Sequence, residues 1–330
     1  MFYIEAFSCA KNQALPDTNE DQIALVPGVF YAVADGATDI SGRRYDDRLG
    51  SNATGGRLAA RAIAEALHDV SRTAGLPEPD AVLDAVNRSI AAVYERLEIA
   101  PDLVLNGEHR FRAAMAAAFS DGQTMRLITV GDCTIRINGA HCLQHAFPAD
   151  SIFAAARSLA WALLSERGMA TEDVRAASRA LIVDGLAQPA RPPFTDADLE
   201  AIRTGVANHE LLRDLPLEGD TLAHALDGGL RAVRADPAAF NAQVPDGYAD
   251  LSGAVLTRDI PLAEIDTLEI FSDGYPMMAS EPSVASWEAA LAHADAVDPD
   301  RIGPFASTKG RAGALFGDDR SILILKSRPE

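Results

Sequence analysis

The stretch Val29 to Asp39, VFYAVADGATD, constrains the chain most: an apolar run rich in Val, Tyr and Phe reaches Ala34 and then breaks at Asp35-Gly36. Bulky and small apolar side chains over that length, ended by Gly, favour a buried strand over a helix. The strand therefore delivers a carboxylate to its mouth. Two later runs end alike: Thr267 to Ser272 leads into Asp273-Gly274, and Met125 to Val130 leads into Gly131-Asp132. Three strand-terminal aspartates far apart in sequence predict one acidic cluster assembled by the fold, although any single Asp-Gly pair is more often a plain turn.

The rest of the chain arranges itself around these ends. Phe2 to Ser8 reads as a first strand. Gln22 to Val26 and Val29 to Ala34 flank Pro27-Gly28, a turn signal, and are expected to pair as a hairpin. Asp21, before one strand, and Asp35, after its partner, then share one open end. Leu58, Ala62, Ile63, Ala66, Leu67 and Val70 recur at helical spacing, with Asn52 or Thr54 as the N-cap. A second helix, from about Asp80 to Leu97, carries the stripe Val82, Val86, Ile90, Val93 and Leu97. Two amphipathic helices in succession suit one face of a sheet. Ala113 to Ser120, Thr124 to Val130 and Thr134 to Ile137 read as an antiparallel meander followed by the Asn138-Gly139 turn. From Ser151 to about Arg234 the period is helical, with a Pro-rich break at Pro189 to Pro193. Strands resume near Gly247 to Thr257 and at Thr267 to Phe271; a short helix is expected over Ser283 to Ala294, and Ser321 to Lys326 closes the chain as a strand.

Composition narrows the function classes. With 330 residues, 48% of them hydrophobic, the chain can bury a sizeable core, and length alone suggests about two domains of roughly 150 residues. The formal net charge of -19 argues against a nucleic-acid partner, which needs clustered Lys and Arg. Cys9, Cys133 and Cys142 are an odd number without paired spacing, which suits a reducing compartment better than a disulfide scaffold. No run reaches the ~18 apolar residues of a membrane span, and the first residues carry no basic leader, so a soluble cytoplasmic protein without a membrane partner is expected.

Clustered carboxylates suit hard cations such as Mg²⁺ and Mn²⁺, and two such ions about 3.5–4 Å apart can drive an in-line displacement at phosphorus. The motifs point the same way. NEDQ at Asn19 to Gln22, AVADGA at Ala32 to Ala37, VGDCTIRI at Val130 to Ile137, FSDG at Phe271 to Gly274 and GDDRSILIL at Gly317 to Leu325 stand in one order across nearly the whole chain, with NAQVPDGYADLSG at Asn241 to Gly253 ahead of FSDG. In that order and context the chain resembles the metal-dependent serine/threonine protein phosphatases of the type 2C family, its bacterial members in particular.

The resemblance implies an α+β fold: a four-layer αββα sandwich of two antiparallel sheets flanked by helices. It would form a single phosphatase-like domain over 1–330, with 146–240 as a long helical insertion where the family carries its flap. It implies two Mn²⁺ or Mg²⁺ ions, with Asp35 bridging them and the Gly36 carbonyl ligating one. Asp21, Asp273 and Asp318 would complete the shells directly or through water, with Glu20 close by, and Asp132 would share a third, weaker position with Asp273. Asp318 is preferred to Asp319 on the family pattern alone, three residues before Ser321. The implied activity is phosphomonoester hydrolysis on a phosphoprotein made by a Ser/Thr kinase, through a metal-activated water, with Asp35 and Asp273 central. A catalytically weak or inactive phosphatase-like binding protein is the alternative, and a hydrolase of small phosphoesters would share the centre.

Two family residues are replaced. Many members of that family carry an Arg four residues before the NED-type Glu, where it holds the substrate phosphate, and some carry a His after the Asp-Gly, proposed as general acid; these positions are Pro16 and Ala37 here. Lys11, Arg43 and Arg44 are the candidate replacement cations, Lys11 first because its loop leads into Glu20-Asp21. Other candidates are weaker. His141 and His145 lie about 13 Å apart if extended, too far for one zinc. Cys133 lacks an indicated base and reads as a small buried residue. Trp161 and Trp287 sit in helical apolar patterns and read as packing.

Overall fold

The computed structural model describes residues 2–37, 42–105, 107, 109–187, 192–213, 215 and 220–327. Asp39, at the end of the opening stretch, and Pro189, in the Pro-rich break, lie outside them. The strands are β1 (Phe2–Cys9), β2 (Gln22–Val26), β3 (Phe30–Gly36), β4 (Tyr45–Asp47), β5 (Gly50–Ala53), β6 (Ala113–Ser120), β7 (Thr124–Val130), β8 (Thr134–Ile137), β9 (His141–Leu143), β10 (Val255–Pro261), β11 (Thr267–Phe271) and β12 (Arg320–Ser327). The helices are α1 (Gly55–Val70), α2 (Pro79–Arg96), α3 (Pro101–Leu105), α4 (Pro148–Glu166), α5 (Thr171–Asp184), α6 (Asp196–Ala207), α7 (Thr221–Ala235) and α8 (Val284–Val297). The chain divides into two compact units, one of Met1–Ala146, Gln243–Ala292 and Ala314–Glu330, the other of Phe147–Ala242 and His293–Gly313.

The first unit holds two antiparallel sheets, ordered β1-β12-β11-β8-β9 and β10-β7-β6-β3-β2, with a small β4-β5 ribbon. Alternation along each strand sorts side chains into layers. On β3, Phe30, Ala32 and Ala34 pack with Leu58, Ile63, Leu67, Val86 and Ile90 of α1 and α2. Tyr31 and Val33 turn the other way, to Ile135, Leu268, Ile270, Leu323 and Leu325 of the second sheet. On β12, Ile322 and Ile324 face outward to Trp287 of α8. Helices, two sheets and a helix thus form the expected αββα stack. Because strands such as β3 and β12 are covered on both faces, they read as nearly continuous apolar runs.

Strand β6, AAMAAAFS, shows tertiary context overriding propensity. Alanine is the best helix former, yet this segment is a central strand between β3 and β7. Its small side chains let helices approach on one face, through Ala113, Met115 and Ala117, and the other sheet on the opposite face, through Ala114, Ala116 and Ala118.

One boundary is corrected. The strand expected near Gly247 to Thr257 begins only at Val255 and runs on to Pro261. Asp246 takes the backbone N–H groups of Tyr248 and Ala249 on its carboxylate, and Gly247 sits at φ +91°, so the segment turns before it extends.

In the second unit α4 to α7 pack around Ile152, Phe153, Trp161, Leu181, Ile202 and Leu226. Buried Arg157 donates from Nη1 to the carbonyls of Asp300, Arg301 and Ser307, which fixes the 293–313 segment to that unit. No helix among the described residues is long and apolar enough to cross a membrane.

Where α1 begins, two glycines meet. A Cβ on Gly56 would lie 2.5 Å from the Ala37 carbonyl oxygen, and one on Gly36 would lie 2.6 Å from the Gly56 backbone. The closeness seats the helix directly on the end of β3. Gly56→Ala is therefore expected to cost about 1–3 kcal/mol in urea unfolding. Gly253→Ala, where a Cβ meets nothing within 4 Å, should change stability by less than about 0.5 kcal/mol. Equal effects would contradict the contact.

Candidate metal centre

The centre is built by strand register. Gln22 pairs with Ala34, so one step further Asp21 stands across from Asp35 at the open end of the β2–β3 hairpin. Asp35 continues the alternate row of Tyr31 and Val33, the row that faces between the sheets. Asp132 follows β7, Asp273 follows β11, and Asp318 precedes β12. Carboxylate oxygens of Asp35 and Asp132 and the Cys133 thiol lie within 4.8 Å of one another. Burial pushes the Asp35 carboxyl well above its ordinary range, and the charges of Asp21, Asp273, Asp132 and Asp318 push it further. The fold thus brings together every aspartate singled out in the sequence. They differ in depth: Asp21 is buried, Asp35, Asp132 and Asp318 are half-buried, and Asp273 is exposed.

Asp21 shows what the arrangement costs. Burial raises its carboxyl to about 8 against the opposing Ser272 hydrogen bond, and the charges of Asp319 and Asp318 add to the rise. Its Oδ2 accepts the Ser272 hydroxyl at 2.7 Å, whereas its buried Oδ1 has no hydrogen-bond partner among the described residues. The Ser321 hydroxyl, which donates to Ser8 at 2.8 Å, also holds the Asp21 carboxyl down a little. An unpartnered buried carboxylate oxygen is expensive unless a cation meets it.

Beside the aspartates runs a second network. Buried Glu20 takes the Thr54 hydroxyl on Oε1 and the Lys11 ammonium on Oε2 at 3.0 Å. Thr54 also caps α1, its hydroxyl accepting the Arg57 N–H. Asp319 accepts the Lys11 N–H at 2.7 Å, the Lys11 ammonium at 3.2 Å and the Glu20 N–H at 3.1 Å. Asp319 is therefore committed to bracing the loops, and Asp318 is the acid whose charge reaches Asp35. Lys11, expected to meet a phosphate, has its ammonium against Glu20, Asp319 and, at 3.7 Å, Asp318. Arg43 and Arg44 are exposed ahead of β4, with Arg44 donating to the Arg43 carbonyl.

Gly36, still within β3, and Gly274, within a turn, both follow their aspartates where backbone passes too close for a side chain. A Cβ on Gly274 would lie 2.0 Å from the Asp319 carbonyl oxygen. The thiol of Cys133 is buried, and burial holds its pKa far up, so it is no nucleophile. His141 is exposed on β9, and the histidines join no metal-ligand group among the described residues. Reading the sequence missed Thr54, Ser272 and Asp319 as supports. The register of β11 against β12, with Phe271 opposite Ile322, would have set Ser272 beside Ser321.

No family model and no curated protein matches the chain. Among solved structures it is similar to the Mycobacterium tuberculosis serine/threonine phosphatase PstP/Ppp, at 15% identity over 99% of each chain, with a TM-score of 0.44. It is similar also to the serine/threonine phosphatase Stp1 from Staphylococcus aureus, at 12% identity over 100% of this chain and 96% of that one, TM-score 0.47. A further structure, the catalytic domain of PstP in complex with two manganese ions, matches at 15% identity over 98% and 97%, TM-score 0.40.

The Asp21 shift carries a pH dependence. A carboxyl raised in the folded state contributes stability that is complete below its unfolded pKa, near 3.8, and is lost as pH rises through about 8. In chelator, Asp21→Asn should therefore stabilise the protein more at pH 8.5 than at pH 5, read as the difference in Tm from wild type. A difference equal at both pH values would contradict the burial of an unpartnered carboxylate.

Proposed function

We propose that the chain is a metal-dependent phosphatase that hydrolyses phosphoserine and phosphothreonine in proteins. The observation that carries the reading is the crowding of Asp35 by Asp21, Asp132, Asp273 and Asp318, with a buried Asp21 oxygen lacking a partner. All-oxygen donors of high negative charge fit Mn²⁺ or Mg²⁺. In this reading Asp35, Asp21, Asp273, Asp318 and the Gly36 carbonyl would hold two such ions, and Asp132 with Asp273 would offer a third position. When bound, such ions lower the pKa of a shared water and neutralise charge on the phosphoryl oxygens.

The chain's own residues do the rest. Ser272 fixes one oxygen of Asp21 and leaves the other, buried and unpartnered among the described residues, to an ion. Glu20, held by Thr54 and Lys11, braces the Asp21 end, and the contact between Gly36 and Gly56 prevents Asp35 from backing away. With Cys133 protonated, the cysteine beside Asp35 and Asp132 is no thiolate that could form a covalent intermediate, which suits direct attack by water. Arg43 and Arg44 are the cations we assign to the substrate phosphate. Free thiols at Cys9, Cys133 and Cys142 suit signalling in a reducing, cytoplasmic setting, on substrates made by a Ser/Thr kinase.

Turnover of a phosphothreonine peptide and of an aryl phosphate in Mn²⁺ tests the reading. Asp35→Asn or Asp273→Asn should lower both rates by on the order of a hundredfold or more, since even outer-shell partners of a metal are worth 10–100-fold. Circular dichroism should show both variants folded. With Pro16 and Ala37 in place of an Arg and a His, the alkyl ester, whose poor leaving group needs a proton, should be the worse substrate by kcat/KM. Rates unchanged by Asp35→Asn would overturn the reading. Mn²⁺ binding without turnover of either substrate would make the chain a phosphatase-like binding protein.

A further inference from the structure

Lys11 stands where its charge cannot be neutral to the centre. Its backbone is pinned from both sides: its N–H donates to Asp319 Oδ1, and its carbonyl accepts the Phe316 N–H at 3.0 Å. Its ammonium then lies 3.0 Å from Glu20, 3.2 Å from Asp319 and 3.7 Å from Asp318. Glu20 and Asp319 are almost wholly buried, and buried carboxylates without a cation destabilise a fold strongly. Asp318 Oδ1 is engaged from this side twice, by the ammonium and by the Asp319 N–H at 3.1 Å. The charge of the same carboxylate is felt by Asp35.

From this geometry we infer that Lys11 is a tethered cation that takes up part of the charge a divalent ion would neutralise, so that the acid cluster folds without metal and the ion at its Asp318 end binds weakly and exchanges readily. The inference rests on the metal-centre reading above and goes beyond it. Lys11 acts here on metal affinity and not on phosphate. Two opposite consequences follow from removing it: the metal-free fold loses the ammonium that Glu20 and Asp319 share, and the centre becomes more negative toward an incoming ion.

Titration calorimetry with Mn²⁺ on wild type, Lys11→Met and Lys11→Arg tests this, with Tm in chelator and in saturating Mn²⁺ measured alongside. Lys11→Met should bind Mn²⁺ tighter by about tenfold, the size expected from one unit charge near a divalent ion at a protein surface. It should also melt below wild type in chelator, with the gap closing in Mn²⁺. Lys11→Arg, which keeps the charge, should match wild type in affinity. Affinity in Lys11→Met equal to or weaker than wild type overturns the inference while leaving the metal centre standing. Wild type that binds no Mn²⁺ overturns both. Should Lys11→Met fail to fold, the same comparison is made between Glu20→Gln and Glu20→Gln with Lys11→Met, where equal or weaker binding in the double variant is again the contrary result.

Discussion

Like charge crowded at the partly buried end of the strands is the constraint on which this structure turns. Asp35 is raised by burial and by four neighbouring carboxylates, and left to themselves such groups would swing apart or stay protonated. They are prevented by where they are attached. Asp21 and Asp35 sit at the ends of paired strands, Asp132 and Asp273 just beyond strands buried on both faces, and Asp318 beside an Asp319 already bonded to Lys11 and Glu20. The ladders hold the backbones, the apolar layers hold the ladders, and the repulsion is opposed by burial elsewhere in the sandwich.

A second set of buried charges in the same unit shows the opposite solution. Glu269 on β11 takes two donors from Arg136 on β8 and the Trp287 indole N–H at 2.8 Å, and Arg136 gives another to the Ala279 carbonyl. Each formal charge there is met within the protein, so the group asks for nothing from outside and works as structure. In the aspartate cluster Asp21 keeps one buried oxygen that has no hydrogen-bond partner among the described residues, and that oxygen is the physical mark of a site. Lys11 stands between the two cases, a fixed cation serving carboxylates on both the structural and the reactive side.

Much of this framework is legible in the sequence, because period and breakers report local chemistry. The β2–β3 hairpin follows from Pro27-Gly28 between two apolar runs, and with it the nearness of Asp21 to Asp35. The Thr54 cap and the stripes of α1 and α2 are equally local. What is not legible depends on partners distant in sequence. Nothing near Asp319 announces that it will bond Lys11, and only the family pattern separates it from Asp318. Nothing around Arg157 tells that it gathers three carbonyls from Asp300 to Ser307. The Asp-Gly pairs divide in an instructive way: Asp273-Gly274 is the turn that such a pair ordinarily makes, whereas Gly36 stays in β3 and serves close backbone contact. Lys11 carries the same lesson, for the loop position that suggested a phosphate ligand places its ammonium among acids.

The central claim is that the acids around Asp35 form a two-ion centre. Anomalous diffraction from crystals grown in Mn²⁺ measures this most directly, because it locates the ions without reference to activity. The account predicts two strong anomalous peaks about 3.5–4 Å apart with a carboxylate oxygen of Asp35 between them. No peak at Asp35, or Mn²⁺ bound only elsewhere on the surface, would contradict it.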